Sequence, residues 1–152
     1  MHIVLVEPQI PQNTGSIART CAATGSPLHL IEPLGFEITE KAVRRAGLDY
    51  WPHVDLRRHD SWEAFLATVS PQKCWYLSKF AERSYTSVEF ASNDALVFGS
   101  ETKGLGEEFL RSVPQDQVLK IPINTSFVRS LNLSNAVSIT LYEGLRQQNF
   151  PI

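Results

Sequence analysis

Cysteine is scarce in this sequence: Cys21 and Cys74 are the two in 152 residues, far apart and outside any CxxC pair. That excludes a thiolate zinc module and metal-ligand spacing of that kind, and a chain of this length needs no disulfide scaffold. Both thiols read as small core filler. Long hydrophobic runs are missing too. The N-terminus passes directly into His2-Ile3-Val4-Leu5-Val6, strand-like and too short to span a bilayer. No signal peptide or membrane anchor is read, and the cytoplasm is the expected compartment. Positive charge is not in excess: 14 Lys and Arg stand against 16 Asp and Glu, for a formal net charge of −2. A polycation that coats nucleic acid is thereby excluded, while a local basic patch is not. Repeats, low-complexity stretches and linkers are absent. What remains is a chain 43% hydrophobic and 20% charged, which suits one packed domain over residues 1–152.

Short apolar runs alternate with helical patterns. The predicted strands are Ile3–Val6, Leu28–Ile31, Val54–Arg57, Cys74–Ser78, Ala95–Phe98 and Val118–Ile121. Several are continuous apolar runs, as expected of strands buried on both faces of a parallel sheet. Helices are predicted over Thr14–Thr24, Glu40–Ala46, Ser61–Val69, Glu107–Val113 and about Asn132–Gln148. The first follows Asn13, a good N-cap, and stops at Gly25, a good left-handed terminator. The third opens with Asp60-Ser61-Trp62-Glu63, an acidic form of the capping box. In the last, Val137, Leu141 and Leu145 share one stripe. The alternation predicts an α/β domain with a mainly parallel sheet flanked by helices. Ligands in such sheets bind beyond the carboxyl ends of the strands.

Three strand-end loops have unusual composition. In Pro8-Gln9-Ile10-Pro11-Gln12-Asn13-Thr14-Gly15-Ser16-Ile17-Ala18-Arg19, two prolines stiffen the approach to a helix whose free N–H groups suit an anion. Arg19 lies one turn further in, with a planar fork able to reach the same anion. In Phe98-Gly99-Ser100-Glu101-Thr102-Lys103-Gly104-Leu105-Gly106, three glycines permit close backbone approach. This loop lacks the GxxxxGK[ST] spacing of a nucleotide triphosphatase. A dinucleotide-dependent oxidoreductase fares no better: Glu32 offers an acid after the second strand, but Glu7-Pro8-Gln9-Ile10-Pro11 is not a GxGxxG turn. The third segment, Arg129-Ser130-Leu131-Asn132-Leu133-Ser134-Asn135-Ala136, has more small polar residues than one N-cap needs. Each loop alone is also compatible with plain capping or turn chemistry.

Together and in this order the loops resemble the three motifs of the SPOUT superfamily, the trefoil-knotted RNA methyltransferases. PQNTGSIAR, IEPLGF, RRAGLDY, LVFGSETKGL and RSLNLSNAVS are similar to the branch of single-domain enzymes that methylate the ribose 2′-oxygen of the tRNA wobble nucleotide, position 34. The resemblance spans Ile3 to about Gln148.

The resemblance implies a sheet whose C-terminal segment is threaded into a deep trefoil knot, a homodimer, and S-adenosylmethionine as methyl donor, with S-adenosylhomocysteine as product and no metal. It places the cofactor at Leu77, Gly99, Ile121 and Ser130, with Leu131 closing the pocket and Gly104 allowing close approach. It makes Arg19 the candidate catalytic residue. A guanidinium hardly deprotonates in proteins, so holding phosphate and stabilising a developing alkoxide suits it better than acting as a base. Glu101 and Tyr142 are further catalytic candidates, with support of the glycine loop and packing at the dimer seam as their alternatives. For tRNA contact the candidates are Asn13, Arg19, Arg44, Arg45, Arg57 and Arg58; the Arg44-Arg45 and Arg57-Arg58 pairs lie near aromatic rings, Tyr50-Trp51 and His59, that can stack on unpaired bases. Other acceptors, a different tRNA position or ribosomal RNA, remain open, as does a non-catalytic RNA-binding module.

Overall fold

The computed structural model describes residues 1–39 and 49–152. The helix expected over Glu40–Ala46, with Arg44 and Arg45, lies outside the described residues.

Alternating β-branched and leucine residues build the centre of the sheet. In β1 (His2–Val6), Ile3 and Leu5 point to one face and Val4 to the other, and all three are fully buried. Its neighbours are β2 (Leu28–Ile31) and β6 (Ala95–Phe98), both buried along their whole length. β3 (Leu56–His59) pairs with β2, while β4 (Cys74–Leu77) joins β6 to β7 (Val118–Lys120), and the short β5 (Arg83–Ser84) closes the far edge. The order is β3-β2-β1-β6-β4-β7-β5, and every pairing is parallel. Continuous apolar runs therefore report what the sequence suggested, strands covered on both faces.

Helices α1 (Pro11–Thr24) and α4 (Leu133–Gln147) pack together over one face, where Ile17, Cys21, Val137, Leu141 and Leu145 meet Ile3, Leu28 and Leu96. The other face takes Phe65 of α2 (Trp62–Val69) and the partly buried Phe109 of α3 (Glu107–Arg111) against Val4, Tyr76 and Val97. After β7 the chain runs back past the end of β4 so that α4 can lie on β6 and α1. Among the described residues no helix is long and apolar enough to cross a membrane.

Several boundaries differ from expectation for local reasons. Helix α1 starts at Pro11, not Thr14: Pro11 has the backbone angle of a first helical turn, and Ile10 takes the cap position in extended conformation with no side-chain cap. Asn13 is thus inside the helix and buried. Gly25 does end α1 in the left-handed conformation, φ 64°. β3 starts two residues late because Val54 closes a tight turn over Trp51–His53, its N–H donating to the Trp51 carbonyl at 3.1 Å. In α2 the cap is Ser61 rather than Asp60; its Oγ accepts from Ala64 N at 3.1 Å. α3 ends at Arg111, ahead of the expected Val113.

Candidate active site

The loop after β6 closes on itself. Ser100 N donates to the Gly104 carbonyl at 3.1 Å, and Gly104 N returns a bond to the Ser100 carbonyl at 2.9 Å. A Cβ on Gly99 would fall on the Gly104 carbonyl carbon and the Leu105 nitrogen, and Gly104 has φ +63°. Both glycines are thus demanded by the loop's own closure, before any ligand is considered.

Closure thrusts Glu101 towards the start of α1. Its carboxylate accepts from Gln9 N at 2.8 Å, Ile10 N at 3.1 Å and Asn13 Nδ2 at 3.2 Å. Since a carboxylate can only accept, the amide orientation of Asn13 is fixed, and its Oδ1 is left to accept from Asn132 Nδ2 at 2.9 Å. Asn132 in turn caps α4, its Oδ1 accepting from Ser134 N at 2.9 Å. One carboxylate and two amides therefore tie together all three loops singled out in the sequence. Burial pushes the Glu101 carboxyl up, but the hydrogen bonds it accepts outweigh this and hold it below the ordinary carboxylate value.

Beside this clasp lies a cleft of about 1220 Å³ at the carboxyl ends of β4, β6 and β7. Leu77, Gly99, Gly104, Ile121, Ser130 and Leu131 all line it, together with Asn13, Glu101 and Asn132. Leucine and isoleucine side chains supply apolar walls, and strand-end and loop backbone supplies N–H and C=O groups, a donor set suited to an adenine ring and a polar tail. Among the described residues no group of three or more His, Cys, Asp or Glu side chains is placed to hold a metal ion.

The model of the SpoU rRNA Methylase family matches residues 1–142. The chain belongs to that family. Among its relatives, a tRNA (cytidine(34)-2′-O)-methyltransferase of Saccharophagus degradans is 48% identical, the match covering 98% of this chain and 96% of the relative. A solved structure concerned with 2-OH methylation of C/U34 on tRNA is 49% identical, with a TM-score of 0.87 and coverage of 97% of this chain and 95% of the other. A SpoU methyltransferase from Streptomyces viridochromogenes, solved in complex with the cofactor AdoMet, shares the fold: TM-score 0.83 at 24% identity, over 98% of this chain and 58% of that one.

Within this SpoU-family chain the remaining expected residues that are described, Arg19, Tyr142, Arg57 and Arg58, are not part of the cleft lining. Arg19 is exposed on α1, its guanidinium carbon 5.0 Å from the Tyr50 ring centroid. Tyr50 is itself anchored, its hydroxyl donating to the Gly15 carbonyl at 2.8 Å. The guanidinium is thus propped on a fixed ring and has no carboxylate partner among the described residues, so its N–H edges can meet an anion. Tyr142 is 44% exposed on α4, with its ring 6.4 Å from that of Phe150. Arg57 and Arg58 stand on β3, the edge strand remote from the cleft. Arg57 pairs with Asp55 through two bonds of 2.9 and 2.7 Å, and Arg58 Nε donates to Glu32 at 2.8 Å. Neither is brought to the cleft, and each already has a carboxylate.

Asn132, Lys79 and Phe80 also line the cleft, and the sequence did not single them out as site residues. Surplus polarity around Asn132 was a usable signal. Lys79-Phe80 carries none locally, because it sits in an ordinary turn that only the topology places beside Gly99.

Proposed function

We propose that this chain transfers a methyl group from S-adenosylmethionine to the ribose 2′-oxygen of nucleotide 34 of tRNA. The observation that carries the reading is the clasp: Glu101, Asn13 and Asn132 hold three loops around one cleft whose lining suits the cofactor. Near-half identity over almost the whole length to relatives described as acting on tRNA nucleotide 34 supports the acceptor.

When bound, S-adenosylmethionine supplies an electrophilic methyl on a sulfonium. Leu77, Ile121 and Leu131 would hold its base against apolar walls, with the backbone of the closed Gly99–Gly104 loop alongside. Because the donor is already activated, this chain chiefly has to align the reactants. Glu101 contributes to that alignment. Three N–H donors take most of its acceptor sites and hold its carboxyl below the ordinary carboxylate value, which makes it a weak base and suits a positioning role. The planar guanidinium fork of Arg19 suits the phosphate and the oxygen that becomes negative. It stands outside the cleft lining of its own chain, so we assign it to the acceptor side, reaching the cofactor cleft of a partner copy in a homodimer. Tyr142, with Ile139 also exposed on α4, belongs to the face such a copy would cover. The proposal includes the trefoil knot, supported by the return of the chain from β7 to α4, and a single catalytic domain working in the cytoplasm.

The test is mass spectrometry of tRNA after incubation with methyl-labelled cofactor. Label on the ribose of nucleotide 34 is expected. Label elsewhere, or on ribosomal RNA alone, would overturn the acceptor. Absence of cofactor binding by calorimetry in well-folded protein would favour an RNA-binding module instead.

A further inference from the structure

Four cations line the cleft, and two are already engaged. Arg111 pairs with Glu107, and Arg83 donates to the Asp116 carbonyl at 2.9 Å and to Ser87. Lys79 and Lys103 have no carboxylate partner among the described residues. Between Leu77 at the end of β4 and Arg83 of β5 the chain turns tightly: Ser78 Oγ accepts from Phe80 N at 3.2 Å, and the Ser78 carbonyl accepts from Ala81 N at 3.2 Å. The turn places Phe80 at the cleft wall, the residue 77% exposed and Lys79 Nζ 5.2 Å from its ring centroid. An exposed phenylalanine by itself means little. An exposed ring in the cleft wall beside the Lys79 ammonium, with Lys103 lining the same cleft, presents the two features that bind unpaired nucleotides: a stacking face and phosphate-seeking charge.

We propose that Phe80 is a stacking platform for an RNA base flanking the acceptor ribose, with Lys79 and Lys103 holding the adjoining phosphates. The inference rests on the methyltransferase reading for its kinetics, though not for its binding assay. Stacking on the ring presents the neighbouring sugar to the cleft, so Phe80 sets acceptor affinity and leaves cofactor affinity alone.

The test compares Phe80→Ala, Phe80→Leu and Phe80→Trp with wild type, and with Phe127→Ala as a control. Phe127 is 86% exposed and absent from the cleft lining. Phe80→Ala should raise both the KM for tRNA and the tRNA Kd from fluorescence anisotropy by about tenfold, the range of one base–aromatic stack. The Kd for S-adenosylmethionine should stay within twofold, Phe80→Trp should match or exceed wild type, and Phe80→Leu should behave like Phe80→Ala. The inference is overturned if Phe80→Ala leaves tRNA Kd within twofold, if Leu replaces Phe without loss, if Phe127→Ala weakens tRNA binding equally, or if Phe80→Ala changes the oligomeric state by sedimentation. Should wild type bind tRNA yet transfer no methyl, the functional reading fails while the Kd series still decides the platform.

Discussion

Lowering the pH from 7.5 to 5 should remove about 2 kcal/mol of stability through one buried histidine. His29 is 0% exposed in β2, beneath the Phe65 ring, and forms the middle link of a chain across three strands. Its Nε2 lies 3.0 Å from His2 Nδ1, its Nδ1 lies 2.9 Å from His59 Nε2, and His2 Nε2 lies 3.0 Å from Asn93 Oδ1. With that amide oxygen accepting, the proton positions follow: His2 donates to Asn93, His29 to His2, and His59 to His29. Three neutral rings fill every link, and a second proton on His29 would face a donor. Burial first, then repulsion from His2, His59 and Arg57 against a weaker pull from Asp55, drives the His29 pKa from 6.5 to about 3. The folded pKa is depressed, so the unfolded chain takes up a proton below about pH 6.5 that the folded chain refuses. Stability is full above pH 6.5 and declines as pH falls towards 3. At pH 5 the deficit is about 1.5 units of ~1.36 kcal/mol each. Urea denaturation at fixed protein concentration, at pH 7.5 and 5.0, measures it. His29→Leu should be less stable at pH 7.5, because it leaves the buried His59 and the half-buried His2 short of a partner, yet should lose about 2 kcal/mol less than wild type on acidification. A wild type whose stability changes by under about 0.5 kcal/mol between these pH values would refute the reasoning, since the linkage requires the larger loss.

Glu101→Gln replaces an acceptor-only group facing three donors with one that brings its own N–H; loosening of the clasp should lower methyl transfer at least tenfold and weaken cofactor binding, read by initial rates and calorimetry. Gly99→Ala puts a carbon where the Gly104–Leu105 backbone lies, so the loop must open; cofactor affinity should fall at least tenfold with far-UV circular dichroism retained, and unchanged affinity would place the cofactor elsewhere. Arg19→Ala should leave cofactor affinity within twofold and cut transfer by two orders of magnitude or more, about the loss seen on removing one transition-state donor; wild-type rates would remove Arg19 from the mechanism.

The sheet was legible because its strands are written as buried runs: Leu28–Ile31 and Ala95–Phe98 fall where predicted, and Val137, Leu141 and Leu145 face the core as one stripe. What escaped was decided by pairing rather than propensity. Arg83–Ser84 is a strand only because Leu119 and Lys120 lie beside it. β3 is displaced by the turn at Trp51–His53, whose hydrogen bond no local pattern announces. Asn13 looked like a helix cap because asparagine is a good one; its actual partners, Glu101 and Asn132, are 88 and 119 residues away.

That last case explains why the three loops were ambiguous one at a time. Capping a helix, closing a turn and holding a ligand all use small polar residues and glycine, so composition cannot separate them. The structure separates them by occupancy. Gly99 and Gly104 are consumed by loop closure, Glu101 and the Asn13 amide by the joining of loops, and Arg57 and Arg58 by carboxylates on the far edge. Among the described residues the groups left unspent include the apolar strand ends, the free backbone, Lys79, Lys103, Glu82, Phe80 and the Arg19 fork on Tyr50. Those groups suit a cofactor and a polynucleotide, while the one carboxylate built into the clasp, Glu101, already faces three N–H donors. On the proposed reading, such a site acts chiefly by alignment and by stabilising negative charge. Its transfer rate should therefore respond more to loosening of the clasp than to removal of any single titrating group within the cleft.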